Sequence, residues 1–317
     1  MALSYTTIRA DIAQAVFEGL SNKNNLFIGT EVMPVFSSDV RSGAYLKLNL
    51  GDSEALNDDA LKIAAGAGYP RTSRRFTSDS FDAIEYGLEE VLPDSNRRDL
   101  DRFFDTEVNI AGMLLRQIQV SHEARVASAA FAANGLTAIS ASAAYTDANI
   151  TSFDVPGDVA QAKLELAKYG VLANTLIMSM PVFERIRRSA KVQNQFFGIV
   201  PSDQSRLLSE GEVAAAVGVD RVLVGRAPKN TAKKGQVYSG GFIWSNTYMA
   251  LANTVGGDFS GGGFGRTIVW AADSPVPFVS ETYRDEARRA DVLRVRQNSA
   301  EKVIDGSSII RITTGYV

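Results

Sequence analysis

The chain has 317 residues and a formal net charge of −3, from 33 Lys and Arg against 36 Asp and Glu. With 45% hydrophobic and 22% charged residues it has the composition of a folded protein, and the charge balance leaves no basic footprint for tight nucleic-acid binding. The absence of cysteine excludes disulfides, thiolate metal sites and cysteine nucleophiles.

No window of about 18 apolar residues suggests a membrane span. The N-terminal "MALSYTTIRADIAQAVFEGL" lacks the basic leader and apolar block of a secretory signal. Within it Ile8, Ile12, Val16, Phe17 and Leu20 recur at helical spacing, which predicts a short amphipathic helix in an arm. "LFIGTEVMPVF" then reads as extended. "YLKLNL" alternates, with Leu46, Leu48 and Leu50 on one face, and opens into a polar stretch that runs to about Phe76. In "FTSDSFDAIEYGLEEVL" the residues Ile84, Tyr86 and Leu88 alternate on one face. These two strands and the polar tip between them predict a long two-stranded arm. Such a hairpin is marginal in water by itself, so the expectation is that another copy of the chain supports it.

From Pro93 onward the 3.6-residue spacing of Leu100, Phe104, Val108, Ala111, Leu115 and Ile118 predicts one helix from Asn96 to Ala133, stopped at Asn134-Gly135. At 1.5 Å per residue it would span about 57 Å. After a small polar stretch the pattern changes at Pro156. "DVAQAKLELAKYG" predicts a helix, "TLIMSM" a buried strand, "PVFERIRRSA" and "SEGEVAAAVG" helices, "RVLVG" a strand, "KNTAKKGQ" a turn and "GFIWSNTYMALANTV" a further strand-like run: an α/β unit. "GRTIVWAAD", "VLRVRQ" and "SSIIRITTGYV" read as closing strands, expected to pair beside the long helix, with Ile310 and Ile312 on one face. The α/β unit is therefore an insertion.

No catalytic constellation stands out. His122 is the single histidine, and its place in "QVSHEAR" reads as helix surface. "GGDFSGGGFGRT" lacks the helix that a phosphate loop requires after its glycines, because a strand-like run follows, so it reads as a loop. Neither a metal site nor a cofactor site is expected, nor is the chain expected to be an enzyme. The pairs Asp58-Asp59 and Glu89-Glu90 read as solvated. The basic "RTSRR", with Arg71, Arg74 and Arg75, lies opposite the acidic "DSEALNDD" on the same arm, and it reads either as a solubilising surface or as a register device in which opposite charges on neighbouring copies fix the packing. "RDEARRAD", with Arg284, Asp285 and Arg288, is expected at a subunit seam for the same reason. Asp58, Asp59, Lys62, Arg71, Arg74, Arg75, Arg284, Asp285 and Arg288 are thus the predicted inter-subunit contacts.

The order of these parts resembles the major capsid proteins of tailed double-stranded DNA bacteriophages, across nearly the whole chain. "LFIGTEVMPVFSSDVRSGAYLKL" is similar to that family's passage from N-terminal arm to extended loop. "DVAQAKLELAKYGVLANTLIMSMPVFERIRRSAKV" resembles its axial helix–strand–helix, and "VSETYRDEARRADVLRVRQNSAEKVIDGSSIIRI" its closing segment. The resemblance implies an α+β fold with an N-terminal arm and following strand (1–43), an extended β-hairpin loop (44–85), a peripheral domain with a spine helix (86–150 and 270–317) and an inserted axial domain (151–269). It implies a shell subunit, located in the virion and assembled in the host cytoplasm. Hexamers and pentamers would form an icosahedral head around double-stranded DNA held non-specifically, with portal, scaffold or decoration proteins as further partners and no membrane. Axial loops carrying Lys233, Lys234, Gly261 and Gly262 would ring the capsomer centre. About 30 residues precede the loop, which implies a separate scaffold or none. Lys62 lies on the loop, but no partner for a covalent crosslink matches. A bacterial nanocompartment shell protein of related fold is the alternative, followed by a soluble α/β enzyme.

Overall fold

The structure, a computed structural model, describes residues 7–8, 26–47, 63, 66, 68, 69, 71, 77–100, 105–132, 135–198, 207–233, 235–256, 262–273 and 276–316, with the backbone only of 7–8, 46–47 and 98–100. In chain order the elements are β1 (Thr7–Ile8), α1 (Gly29–Val32), β2 (Val35–Ser38), β3 (Ser42–Lys47), β4 (Thr77–Asp82), β5 (Ile84–Pro93), α2 (Asp94–Leu100), α3 (Thr106–Ala130) and β6 (Ile139–Ser140). Then come α4 (Val155–Ala167), β7 (Thr175–Ser179), α5 (Met180–Ile186), α6 (Ala190–Phe197), α7 (Glu210–Val217), β8 (Arg221–Gly225), β9 (Pro228–Asn230), β10 (Gly240–Phe242), β11 (Tyr248–Ala252), β12 (Gly265–Trp270), β13 (Val279–Asp285), β14 (Ala290–Val303) and β15 (Ile309–Thr313).

Two sheets organise the chain. A five-stranded sheet, β6-β15-β11-β7-β8, forms the α/β unit. Its strands are apolar on both faces because both are covered. Leu176, Met178, Val222, Val224, Met249, Leu251, Ile310 and Ile312 pack beneath α4 to α7. Ile177, Leu223, Ala250, Ala252 and Ile309 pack on the other side against Val126, Ala127 and Ala130 of α3. A strand covered twice reads as a continuous apolar run, and all five residues of β7 are buried.

The second sheet is built on β14. β13 and β12 lie end to end along one edge of this strand and β5 runs along the other, while β2 continues from β12 and β1 from β13. Its odd-numbered β14 residues face α3, where Leu293 and Val295 meet Leu92, Ile110, Leu114, Leu115 and Ile118. On the opposite face an alternating charge ladder runs from Glu89 through Arg294, Glu281 and Arg296 to Asp273.

Several expectations are corrected. The long helix is broken, since Asp105 is extended (ψ 101°) and its carboxylate accepts from Val108 N at 3.3 Å. A short acidic side chain satisfies an otherwise unpaired helix-start N–H in this way, so α3 begins anew at Thr106. It stops at Ala130, before Asn134-Gly135, and its 25 residues span about 37 Å. The arm's return strand is β4, paired with β3 from Ser42↔Asp82 to Lys47↔Thr77. Ile84, Tyr86 and Leu88 belong instead to β5, paired with β14. The terminal strand β15 joins the five-stranded sheet beside β11, because Ile310 and Ile312, which do share a face, complete the core under α4. "LFIGTEVMPVF" is not wholly extended, since Gly29–Val32 make one helical turn. Ile8 lies in a strand against Glu281 of β13; Ile12, Val16, Phe17 and Leu20 lie outside the described residues.

Candidate assembly surfaces and the junction beneath them

The arm begins where β3 and β4 leave the sheet. These two strands pair only with each other among the described residues. Their root is seated by Tyr45 and Phe81, which pack on Ile268, Ala300 and Ile304 on the sheet face opposite α3. Ala83 N donates to Arg41 O at 2.9 Å and closes the base. Beyond it the strands turn mostly exposed faces outward. Arg71 is exposed. Asp58, Asp59, Lys62, Arg74 and Arg75 lie outside the described residues.

"RDEARRAD" makes the turn between β13 and β14. Arg284 holds Asp94 with two hydrogen bonds of 2.6 and 2.8 Å and Asp291 with one of 3.1 Å. It thereby ties the start of α2 to the β13–β14 turn. Asp285 accepts from Ala287 N and Arg288 N. Arg289 takes a positive φ of 48° at the tip. Arg284 and Asp285 thus build their own turn, and Arg288, 67% exposed, is the member of the cluster that projects outward.

In the inserted unit β9 and β10 form a second hairpin, exposed along both strands, with Lys233 in its tip. No Asp or Glu occurs between Asp220 and Asp258, so this stretch is cationic. Lys234 and Gly261 lie outside the described residues. Gly262 sits on a different loop at φ 74°, and its carbonyl accepts from the buried Arg266. β12 follows that glycine-rich loop, as its sequence requires.

Beneath these surfaces lies a buried polar junction. Sequence reasoning placed His122 on the surface, but it is 3% exposed. The signal was present: Ile118, His122 and Val126 keep the four-residue spacing of the buried stripe. His122 Nε2 lies 3.3 Å from Thr267 Oγ1, and Thr267 Oγ1 donates to Met33 O at 3.1 Å. With the threonine proton committed to Met33, Nε2 carries the proton that bonds Thr267. Burial lowers the His122 pKa to about 4. Glu301, 3.7 Å away, opposes that shift. Arg125 clamps Glu301 through Nε and Nη2 at 2.8 and 3.0 Å and lies over the Tyr86 ring at 3.7 Å. Burial alone would raise the Glu301 pKa, but Arg125 holds it below the usual carboxylate range.

Glu123 was missed altogether. It is 1% exposed and accepts three N–H groups: Trp244 Nε1 and Ile28 N on Oε1 at 2.6 and 3.0 Å, and Gly29 N on Oε2 at 2.7 Å. Burial raises its pKa, and these three hydrogen bonds oppose the rise. A Cβ on residue 29 would lie 2.6 Å from Oε2, which is why glycine stands there. The donors come from residues about a hundred positions away in either direction, so no local pattern announces them.

Among the described residues no cluster of three or more His, Asp or Glu suits a metal ion, and no helix is long and apolar enough to cross a membrane. No protein-family model matches the chain, and no curated protein matches it in sequence. Solved structures do match. A phage-related protein from Bordetella bronchiseptica RB50 superposes with a TM-score of 0.69 at 18% identity, over 98% of each chain. The capsid of cyanophage P-SCSP1u gives a TM-score of 0.58 at 10% identity, over 90% of this chain and 86% of that one. A virus-like particle from Pyrococcus furiosus gives 0.54 at 10% identity, over 95% and 97%. The chain therefore adopts the phage major capsid fold over nearly its whole length.

Proposed function

We propose that the chain is the shell-forming subunit of a tailed-phage head, assembling into hexamers and pentamers of an icosahedral container for double-stranded DNA. The observation that carries this reading is the arm. A two-stranded hairpin leaves the sheet at a root seated by Tyr45 and Phe81, and the sequence places a further 29 residues, 48–76, between its two strands. A lone hairpin of this kind needs burial from elsewhere. Identical neighbours supply it, through head-to-tail contacts that close into rings. In this reading residues 44–85 reach a neighbouring subunit and 151–269 form the axial domain. Arg71, Arg74, Arg75 and Arg288 meet acidic groups such as Asp58 and Asp59 of adjacent copies, and Lys233, Lys234, Gly261 and Gly262 lie near the capsomer centre. The net charge of −3 suits a container that must release its duplex. Portal, scaffold or decoration proteins are the further partners, and assembly takes place in the host cytoplasm. No step of this role requires catalysis.

The Pyrococcus furiosus virus-like particle supports a second reading, a nanocompartment shell that encloses protein cargo in place of DNA. Negative-stain microscopy with sedimentation of the purified chain tests both. Rings or closed shells are expected, and a persistent monomer would overturn either reading. Deleting residues 50–76 should leave a folded subunit that no longer assembles. Particles recovered from the native source should contain duplex DNA; cargo protein without DNA would favour the second reading.

A further inference from the structure

Glu123 joins two parts of the chain that make no other described hydrogen bond with each other. One is the N-terminal segment, held at Ile28 and Gly29. From there it passes through α1 to Met33, bonded by Thr267, and into β2, parallel to β12. The other is the root of the β9–β10 hairpin. This hairpin leaves the five-stranded sheet at Gly225 and returns at Trp244, whose ring lies against Gly225 so closely that residue 225 has no room for a Cβ. The indole is fully buried, meets Phe131 edge-on at 5.4 Å, and sends its only polar atom to Glu123. Ile243 N donates to Ala227 O at 3.1 Å just inside this clamp.

The carboxylate is shared, not duplicated. Ile28 N and Trp244 Nε1 bond the same oxygen. A buried carboxylate is tolerated only while its donors stay in place. If Ile28 and Gly29 move away, two of three donors are lost, and Glu123 must turn toward water or take up a proton. Either change disturbs its bond to the indole. Of its described neighbours, Glu31 on α1 is acidic and the His122 Nε2 proton is engaged with Thr267, so neither offers a substitute donor.

We propose that Glu123 is a mechanical coupler, so that displacement of the N-terminal segment at Ile28–Gly29 loosens the root of the β9–β10 hairpin, and loosening the hairpin root frees the segment. This is a property of the single folded chain and is measured without assembly, so its failure would leave the shell reading intact and the failure of the shell reading would leave it intact. Thermodynamic linkage requires the effect to run both ways with equal size.

The test is hydrogen exchange followed by mass spectrometry on the full-length subunit, comparing peptides that cover 26–36 and 226–243. Trp244→Phe keeps an aromatic ring and removes the indole donor. It should speed exchange in 26–36 by about 10-fold or more, as befits a lost hydrogen bond to a charged acceptor. Gly29→Ala displaces Oε2 from the other side and should speed exchange in 226–243 by a similar factor. It should also raise trypsin cleavage after Lys229 and Lys233. Val192→Ala, a cavity in the core beneath the helices, loosens the α/β unit without touching Glu123 and should not reproduce this paired pattern. If each variant changes only its own peptide, or if Val192→Ala gives the same pattern, the coupling is overturned. Should Gly29→Ala fail to fold, Trp244→Phe decides alone: 26–36 either loosens or it does not.

Discussion

The two sheets solve the same problem under different constraints. The five-stranded sheet is covered on both faces, by α4 to α7 on one side and by the end of α3 on the other. The β14 sheet is covered by α3 on one face, while its other face carries the charge ladder and the root of the arm. Stability is therefore concentrated in the first sheet. The second keeps an open face, a long β5 edge with Ile84 and Leu88 exposed, and the departing hairpin, which are the features the proposed assembly would use.

The contrast can be broken most sharply at Ile177. It is fully buried in an interior strand of the doubly covered sheet, and Ile177→Ala should cost about 4 kcal/mol in denaturant unfolding. Acid comes next. His122 has a folded pKa of about 4, set by burial, against about 6.5 when unfolded. The unfolded chain thus takes up a proton that the folded chain refuses. Stability present above pH 6.5 is lost as the pH falls toward 4, by about 3 kcal/mol. Facing the ring are Glu301 from β14, Arg125 from α3 and the Thr267 hydroxyl from β12. His122→Gln should flatten this part of the pH profile; an unchanged slope would assign the loss to other groups.

Smaller still is Glu301→Gln, expected to cost about 2 kcal/mol. Arg125 would lose its buried partner but keep Ser121, Gln297 and the Tyr86 ring. At the far end, Leu88→Ser on the exposed edge should change monomer stability by less than about 0.5 kcal/mol, while weakening assembly if β5 lies at a seam. A Leu88→Ser loss as large as that of Ile177→Ala would erase the distinction between the two sheets.

The same contrast explains how far the sequence could be read. "TLIMSM" and "RVLVG" announce themselves because double coverage leaves Leu176, Ile177 and Met178, and Val222, Leu223 and Val224, apolar without alternation. "SEGEVAAAVG" carries its own capping box, Ser209 with Glu212, and its own stop at Gly218. The arm was legible as a polar excursion between strands. Its return strand was misjudged because "TSDSFD" buries only Phe81, whereas the stronger alternation of Ile84, Tyr86 and Leu88 belongs to the next strand. The break at Asp105 was hidden because the apolar stripe continues on both sides of it. Ile310 and Ile312 declared their face but not which sheet would receive it. Glu123 is illegible for a different reason, which also masks His122 despite its place in the four-residue spacing of the buried stripe. A charged or titratable residue on a helix looks solvated until the donors that justify its burial are known, and here they arrive from Ile28, Gly29, Trp244 and Thr267.

One strand has a consequence for how the chain tolerates change in length. β14 pairs with β13, β12 and β5 at once. One added residue at the start of Ala290–Val303 would invert the side chains beyond it, sending Arg296 under α3 and Val295 among the charges. All three neighbours would inherit the error. Gains and losses of residues should therefore be admitted freely in the tips of the two hairpins and refused along this single strand.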